Sequence, residues 1–180
     1  MNKAVVFSFL ILGISTAWSQ ADSVCNPSFE TGLTDWQNFA NNGAVATFDT
    51  SAVAATEGAV GVVIDIQDVS AGTCVLSACI SDMYANQTYR MSFWAKSDNA
   101  VEVLTTISKA SPGYNNYASA NLVLTSEWVQ YEISGSVADD LLSDVRLAKF
   151  KFLSEGTVMI DDIQIDCAAT GGIEGCTDSE

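Results

Sequence analysis

The sequence predicts an all-β fold, a sandwich of two antiparallel sheets. Three observations carry that expectation. Short segments rich in Val, Ile, Thr, Tyr, Phe and Trp recur along the chain, several with a two-residue apolar period. The connectors between them are Gly, Asn, Asp and Ser: NNG, SDN, SPGYNN and SEG. Helical periodicity is weak, with one short helical turn expected near Asp139–Leu142.

The strands read in order. VGVVIDIQDV (60–69) opens as a buried apolar run and then alternates. CVLSACI (74–80) is short and apolar. TYRMSFWAKS (88–97) places Tyr89, Met91, Phe93 and Ala95 on one face and Arg90, Ser92, Trp94 and Lys96 on the other. VEVLTTIS (101–108) and ANLVLTS (120–126) are rich in β-branched residues. WVQYEIS (128–134) alternates, and VRLAKFKF (145–152) and TVMIDDIQID (157–166) complete the set. In the last strand strict alternation puts Ile160, Asp162 and Gln164 on one face, and Asp161, Ile163 and Ile165 on the other.

The N-terminus is a different kind of segment. Lys3 precedes an apolar run from Ala4 to Ile14, and small residues follow at Ala17, Ser19 and Ala21. This is the layout of a secretory signal peptide over residues 1–20, cleaved after Ser19 or Ala21. The run is shorter than the roughly 20 residues a membrane span requires. A secreted or cell-surface location follows, with residues 22–168 as one sandwich domain. The tail 169–180 has Gly and acid with little to bury. It reads as a linker, or the start of a further module, so that the domain is expected to be joined to others.

Of seven Lys and Arg, six lie beyond Lys3: Arg90, Lys96, Lys109, Arg146, Lys149 and Lys151. Against them stand 22 Asp and Glu. Such acidity opposes binding to nucleic acid and anionic membranes and suits cations. No His is present, which removes a Ser-His-Asp triad, His-ligated zinc and the usual proton shuttle near pH 7. Adjacent acids such as Asp139-Asp140 and Asp161-Asp162 diverge on a strand rather than flank a cleft, so no glycosidase pair is expected. The domain reads as non-catalytic. Asn86-Gln87-Thr88 fits a glycosylation sequon, and Asn86 also suits a turn.

Export makes disulfides an expectation for the five Cys. Cys25 precedes the first strand and Cys167 follows the last, and terminal strands of a sandwich lie close, so Cys25–Cys167 is the first expected pair. Cys74 and Cys79 bracket one short segment and, given a bend, form the second. Cys176 is left over.

Several landmarks occur together and in order. NPSFETG…W (26–36) opens the domain. A Gly-led strand follows, EGAVGVVI, then QTYRMSFWAKS and LTSEWVQYEISG, and VMIDDIQID closes it. From Asn26 to Asp166 the chain resembles the carbohydrate-binding modules of the family 4 and 9 type. The resemblance implies a jelly-roll β-sandwich of two antiparallel sheets with a structural calcium on one edge. In that reading Glu30 and Asp162 hold the ion, with Glu57 and the carbonyls of Ser28 and Val60 as further ligands. Calcium takes six to eight hard oxygens from carboxylates and carbonyls, which agrees with such a set.

The implied partner is a polysaccharide or oligosaccharide. Sugar binding needs a ring to pack on a pyranose face and polar groups for its hydroxyls. Trp94 is the best candidate, with Arg90 and Lys96 on its face. Tyr114 and Tyr117 stand in a Gly/Asn-rich loop, and Lys149 and Lys151 project from a nearby strand. Trp36 and Trp128 read as packing residues. The sequence departs from the family at AGTCVLSACI, where many members carry a Trp and a Gln. That gap favours an alternative, a structural or adhesion module with the same sandwich and no glycan site.

Overall fold

The computed structural model describes residues 19–20, 24–83, 87–111, 115–137 and 142–169. Among the described residues are twelve strands: β1 (Ser19–Gln20), β2 (Gln37–Asn41), β3 (Val45–Ser51), β4 (Gly61–Asp68), β5 (Thr73–Ser77), β6 (Ile80–Met83), β7 (Gln87–Ser97), β8 (Glu102–Lys109), β9 (Asn116–Val123), β10 (Val129–Val137), β11 (Leu142–Phe152) and β12 (Gly156–Ala169). A 3-10 turn covers Ala52–Ala54. One sheet has the order β10-β7-β12-β4-β3, with β1 added on β12. The other has the order β2-β5-β11-β8-β9, with β6 added on β11. Every pairing is antiparallel. Most neighbours in space are distant in sequence, as in the jelly roll the sequence implies.

The core lies between the sheets. On β7 the residues Tyr89, Met91, Phe93 and Ala95 are buried, as their alternation requires. On β11 Phe150 and Phe152 face them from the opposite sheet. Phe93 and Phe150 meet edge to face at 4.9 Å and join the layers. Each such ring contributes about 2–3 kcal/mol by leaving water.

Two bulges reset which residues face out. On β11, Arg146 pairs with Ser108 and Lys149 with Thr106, so Leu147 and Ala148 together oppose Ile107. Both are buried, and Arg146 and Lys149 therefore share the outer face although they are three residues apart. On β12 the register shifts between Asp161 and Gln164, and Asp162 has φ 49°. Val158 and Ile160 point inward before the shift, and Ile163, Ile165 and Cys167 after it. Strict alternation across this strand is corrected accordingly.

Neither expected disulfide forms. Cys25 is bonded to Cys79, with Cα atoms 6.0 Å apart. Cys74 is a free thiol, fully buried on β5, and burial pushes its pKa up to about 12. Its side chain points into the core while Cys79 lies beyond the strand end, so the two cannot meet. Cys167 is disulfide-bonded, but not to Cys25. Cys176, Tyr114, Asn86, the turn expected near Asp139 and most of the signal segment lie outside the described residues.

Strands β2 and β3 have a weaker sequence signature. β2 is polar and largely exposed. β3 alternates half-buried Ala46, Phe48 and Thr50 with exposed Val45, Thr47 and Asp49, a short period without a long apolar run.

Candidate functional site

The opening motif folds around Asn26. Its Nδ2 donates to the carbonyls of Gly32 (2.8 Å) and Thr34 (3.1 Å), and its Oδ1 accepts from the Thr31 N–H (3.2 Å). Trp36 Nε1 donates to the Asn26 carbonyl at 3.0 Å. Phe29 is fully buried with its ring 4.8 Å from that of Trp36. Trp36 is thus a packing residue, as the sequence implies. Burying Phe29 turns Glu30 outward, toward the segment 55–60. Glu30 Oε1 accepts from the N–H groups of Ala59 (2.8 Å) and Val60 (3.2 Å). A Cβ at Gly58, where φ is +65°, would sit 2.1 Å from that oxygen, so this position requires glycine.

Asp161 holds the same segment from below. It is fully buried, and its Oδ2 accepts from Thr56 N (2.6 Å), Thr56 Oγ1 (3.0 Å) and Glu57 N (2.9 Å). Its Oδ1 has no partner. Asp162 accepts from Gln164 Nε2 at 2.9 Å. Asp162, close enough to hydrogen-bond, pushes the Glu57 carboxyl above its ordinary range, with Asp161 and Glu30 adding to the effect. Glu30, Glu57, Asp161 and Asp162 therefore surround one loop. Asp161, which the sequence reading left out, is the buried member. Among the described residues no three acidic or thiol side chains already converge as a metal cage. Ser28 stands in the same turn as Phe29, and Val60 engages Glu30 through its N–H.

The outer face of the first sheet carries Trp94. A recess of about 360 Å³ is lined by Ala55, Thr56, Trp94, Trp128 and Asp162. Both indoles are half-buried. Lys96 Nζ lies 5.0 Å from the Trp128 ring centroid, a cation–π contact. Trp128 therefore borders this recess, which its reading as a packing residue did not anticipate. Arg90 is engaged elsewhere. Its Nε donates to Asp166 Oδ2 at 3.0 Å, its Nη2 contacts the same oxygen, and Glu132 lies 3.7 Å from Nη1. It ties β10, β7 and β12 together.

The outer face of the second sheet holds a different groove, of about 190 Å³, lined by Gln37, Phe39, Ser77, Lys109, Arg146 and Lys149 among others. Lys151 is on this face, one alternation beyond Lys149, and so is remote from Trp94. Tyr117 is half-buried and packs against the core. The residues singled out in the sequence thus divide between two sheets: Trp94, Lys96 and Arg90 on one, Lys151 on the other.

Residues 21–148 match the family model for a carbohydrate binding domain, CBM_4_9. The chain belongs to this family. The carbohydrate-binding domain is a non-catalytic binding module. No curated protein matches it. Among solved structures, a CBM4 module is similar with a TM-score of 0.60 at 18% identity, covering 81% of this chain and 99% of that one. The CBM22-1 xylan-binding domain of Xyn10C from Paenibacillus barcinonensis gives 0.58 at 17%, with 84% and 98% covered. A Stig cyclase, Fisc, from Fischerella sp. TAU gives 0.63 at 9%, with 85% and 100% covered. An enzyme and a binding module thus share this architecture, so the family match and not the fold decides between them. Within the carbohydrate-binding domain, the outward positions of β5 are Val75 and Ser77, so that strand carries no aromatic platform. Among the described residues no helix is long and apolar enough to cross a membrane.

Proposed function

We propose that the chain is an exported carbohydrate-binding module that targets a longer protein to a polysaccharide, with its sugar contact at the Trp94 recess. The observation that carries this reading is the pair of half-buried indoles, Trp94 and Trp128, beside polar Thr56 and Asp162. A pyranose offers an apolar C–H face to such a ring and hydroxyls to such a rim. The N-terminal segment and the Cys25–Cys79 disulfide support export.

A structural calcium belongs to the proposal. The partnerless, buried Oδ1 of Asp161 and the mutual repulsion of the acids around Glu57 fit a hard cation. Glu30, Glu57, Asp161 and Asp162 would hold it, with backbone oxygens of Ser28 and Val60. The ion would neutralise the acids that crowd the 55–60 loop. Thr56 and Asp162 belong both to that loop region and to the recess, so loop order and sugar binding are coupled.

The test is affinity-gel electrophoresis and calorimetry of the calcium-loaded protein on a panel of polysaccharides, with Trp94→Ala as the variant. Loss of binding of tenfold or more by a folded Trp94→Ala protein is expected. Full affinity in that variant removes the recess from the proposal. The bare outer face of β5 favours a second reading, an adhesion or spacer module, and a folded protein that binds no glycan would establish it.

A further inference from the structure

We propose that the sugar bound at the Trp94 recess carries an aryl ester, of the hydroxycinnamoyl kind, and that a second recess beside it receives the aryl group. The proposal rests on the Trp94 reading for the sugar, and on other residues for the substituent.

The second recess, of about 330 Å³, is lined by Lys96, Ser97, Asp98, Ser126, Thr157 and Met159. It continues the first along the same strands. β7 gives Trp94 to one and Lys96 to the other, and β12 gives Asp162 to one and Met159 to the other. The chain entering β10 gives Trp128 to one and Ser126 to the other. Trp94 and Lys96 are two positions apart on one face, about 6.6 Å along the strand. The contact of Lys96 Nζ with the Trp128 ring marks the junction. A substituent on a sugar ring seated at Trp94 therefore needs only a short arm to enter the second recess.

The polar groups of this recess are mostly engaged within the protein. Ser97 is buried, and its Oγ donates to the Asn99 carbonyl. Asp98 Oδ1 accepts from the Thr157 N–H at 2.8 Å, and the Asp98 N–H donates to the Thr157 carbonyl at 3.0 Å. Lys96 keeps its ammonium on Trp128, which leaves its methylene stem as a wall. Met159 pairs with Lys96 on one side and Val63 on the other, and both apolar side chains are half-buried on the outer face. The recess thus offers a thioether, a Thr methyl and an alkyl stem, with few free donors or acceptors. A second pyranose there would leave most of its hydroxyls without partners.

An aryl ring fits the same lining. A thioether sulfur packs well against an aromatic ring, and an ammonium beside the recess favours a π face. An acetyl group would leave most of the 330 Å³ unfilled. Asp98 is exposed, and its Oδ2 has no hydrogen-bond partner among the described residues. It would accept a phenolic O–H, a charge-assisted bond that a ring without that hydroxyl cannot make. Charge selects in the same direction. The chain carries 22 Asp and Glu against seven Lys and Arg, and Asp162 and Asp98 border the first and the second recess. A carboxylate or sulfate substituent would be repelled there, and a neutral ester would not.

The experiment titrates the whole calcium-loaded protein with methyl ferulate, followed by quenching of Trp fluorescence. Calorimetry then compares feruloylated arabinoxylan with the same polymer after saponification, and acetylated xylan is the small-ester control. The variants are Met159→Gln, which puts a polar group of similar size in the recess, Asp98→Asn and Trp94→Ala, each checked for folding by its melting temperature. Methyl ferulate is expected to bind saturably, and to lose tenfold or more in Met159→Gln and a few-fold in Asp98→Asn. On the polymers the ester should add tenfold or more in affinity, and Met159→Gln should bring the ratio of esterified to saponified binding close to one. Trp94→Ala should weaken binding of both forms. Glycan bound through Trp94 with no saturable binding of methyl ferulate overturns this inference and leaves the proposed function standing. So does equal affinity for the feruloylated and saponified polymers, or an ester preference that survives both Met159→Gln and Asp98→Asn. An acetyl group that raises affinity as much as a feruloyl group also overturns it, because the recess would then not read an aryl ring. Polymer binding indifferent to Trp94→Ala overturns the proposed sugar contact and this inference together, as does a folded protein that binds none of the probes.

Discussion

Asp161 and Asp162 are adjacent in sequence and have separate tasks in the fold. The bulge on β12 buries Asp161 and leaves its neighbour at the surface with positive φ. One oxygen of Asp161 receives three donors from the Thr56–Glu57 segment, and the other receives none. Truncation by Asp161→Ala would strand those donors, and charge-assisted bonds of this kind support a cost of about 3 kcal/mol. Asp161→Asn keeps an acceptor of the same shape. We therefore expect it to recover most of the stability in chelator while weakening any calcium effect, as thermal melts of both variants would show. Equal destabilisation by the two substitutions would mean that the charge, and not the hydrogen bonding, holds the loop.

At the scale of elements, the opening loop depends on links to distant strands. Ile163 N–H donates to the Pro27 carbonyl at 3.2 Å, and Glu30 caps the N–H groups of Ala59 and Val60. The Cys25–Cys79 bond joins this loop to the end of β5 across 54 residues of chain. Closing a loop of that length in the unfolded state is worth about 4 kcal/mol on the chain-entropy account. A Cys25→Ser/Cys79→Ser protein should lose stability of that order in urea unfolding, and a change well under 1 kcal/mol would show that other contacts already order the loop. Cys74 offers no substitute partner, because the core encloses it. The second bulge, on β11, sets the outer face: in a regular strand Arg146 and Lys149, three residues apart, would face opposite sides, and the extra residue of the bulge puts both on one.

Over the whole molecule, four acids, Glu30, Glu57, Asp161 and Asp162, surround the 55–60 loop, and four of the seven Lys and Arg lie on one sheet. Removal of the proposed ion should be felt globally, since it would tie the first loop, the 55–60 segment and β12 together. We expect calcium to raise the melting temperature by several degrees over chelator. In chelator Glu57→Gln should raise it, because a repelling charge is gone, and with calcium the same variant should respond less than the native protein. A melting temperature indifferent to calcium in the native protein would remove the ion from the proposal.

The sequence by itself determined the sandwich, most of its strands and the inward face of β7. Those properties follow from alternation of apolar and polar residues, a local rule imposed by the pleat. It also determined the acid-rich composition and, through ordered motifs from Asn26 to Asp166, the family resemblance. Tertiary structure decided the rest. Cysteine pairing depends on which Cys side chains meet in space, and spacing along the chain led to Cys25–Cys167 and Cys74–Cys79 where the fold makes Cys25–Cys79. The roles of Asp161 and Asp162, and the common face of Arg146 and Lys149, depend on bulges that no period of two can encode. The division of Trp94 and Lys151 between two faces depends on which sheet each strand joins. That choice is made by long-range pairing, and no local stretch of residues contains it.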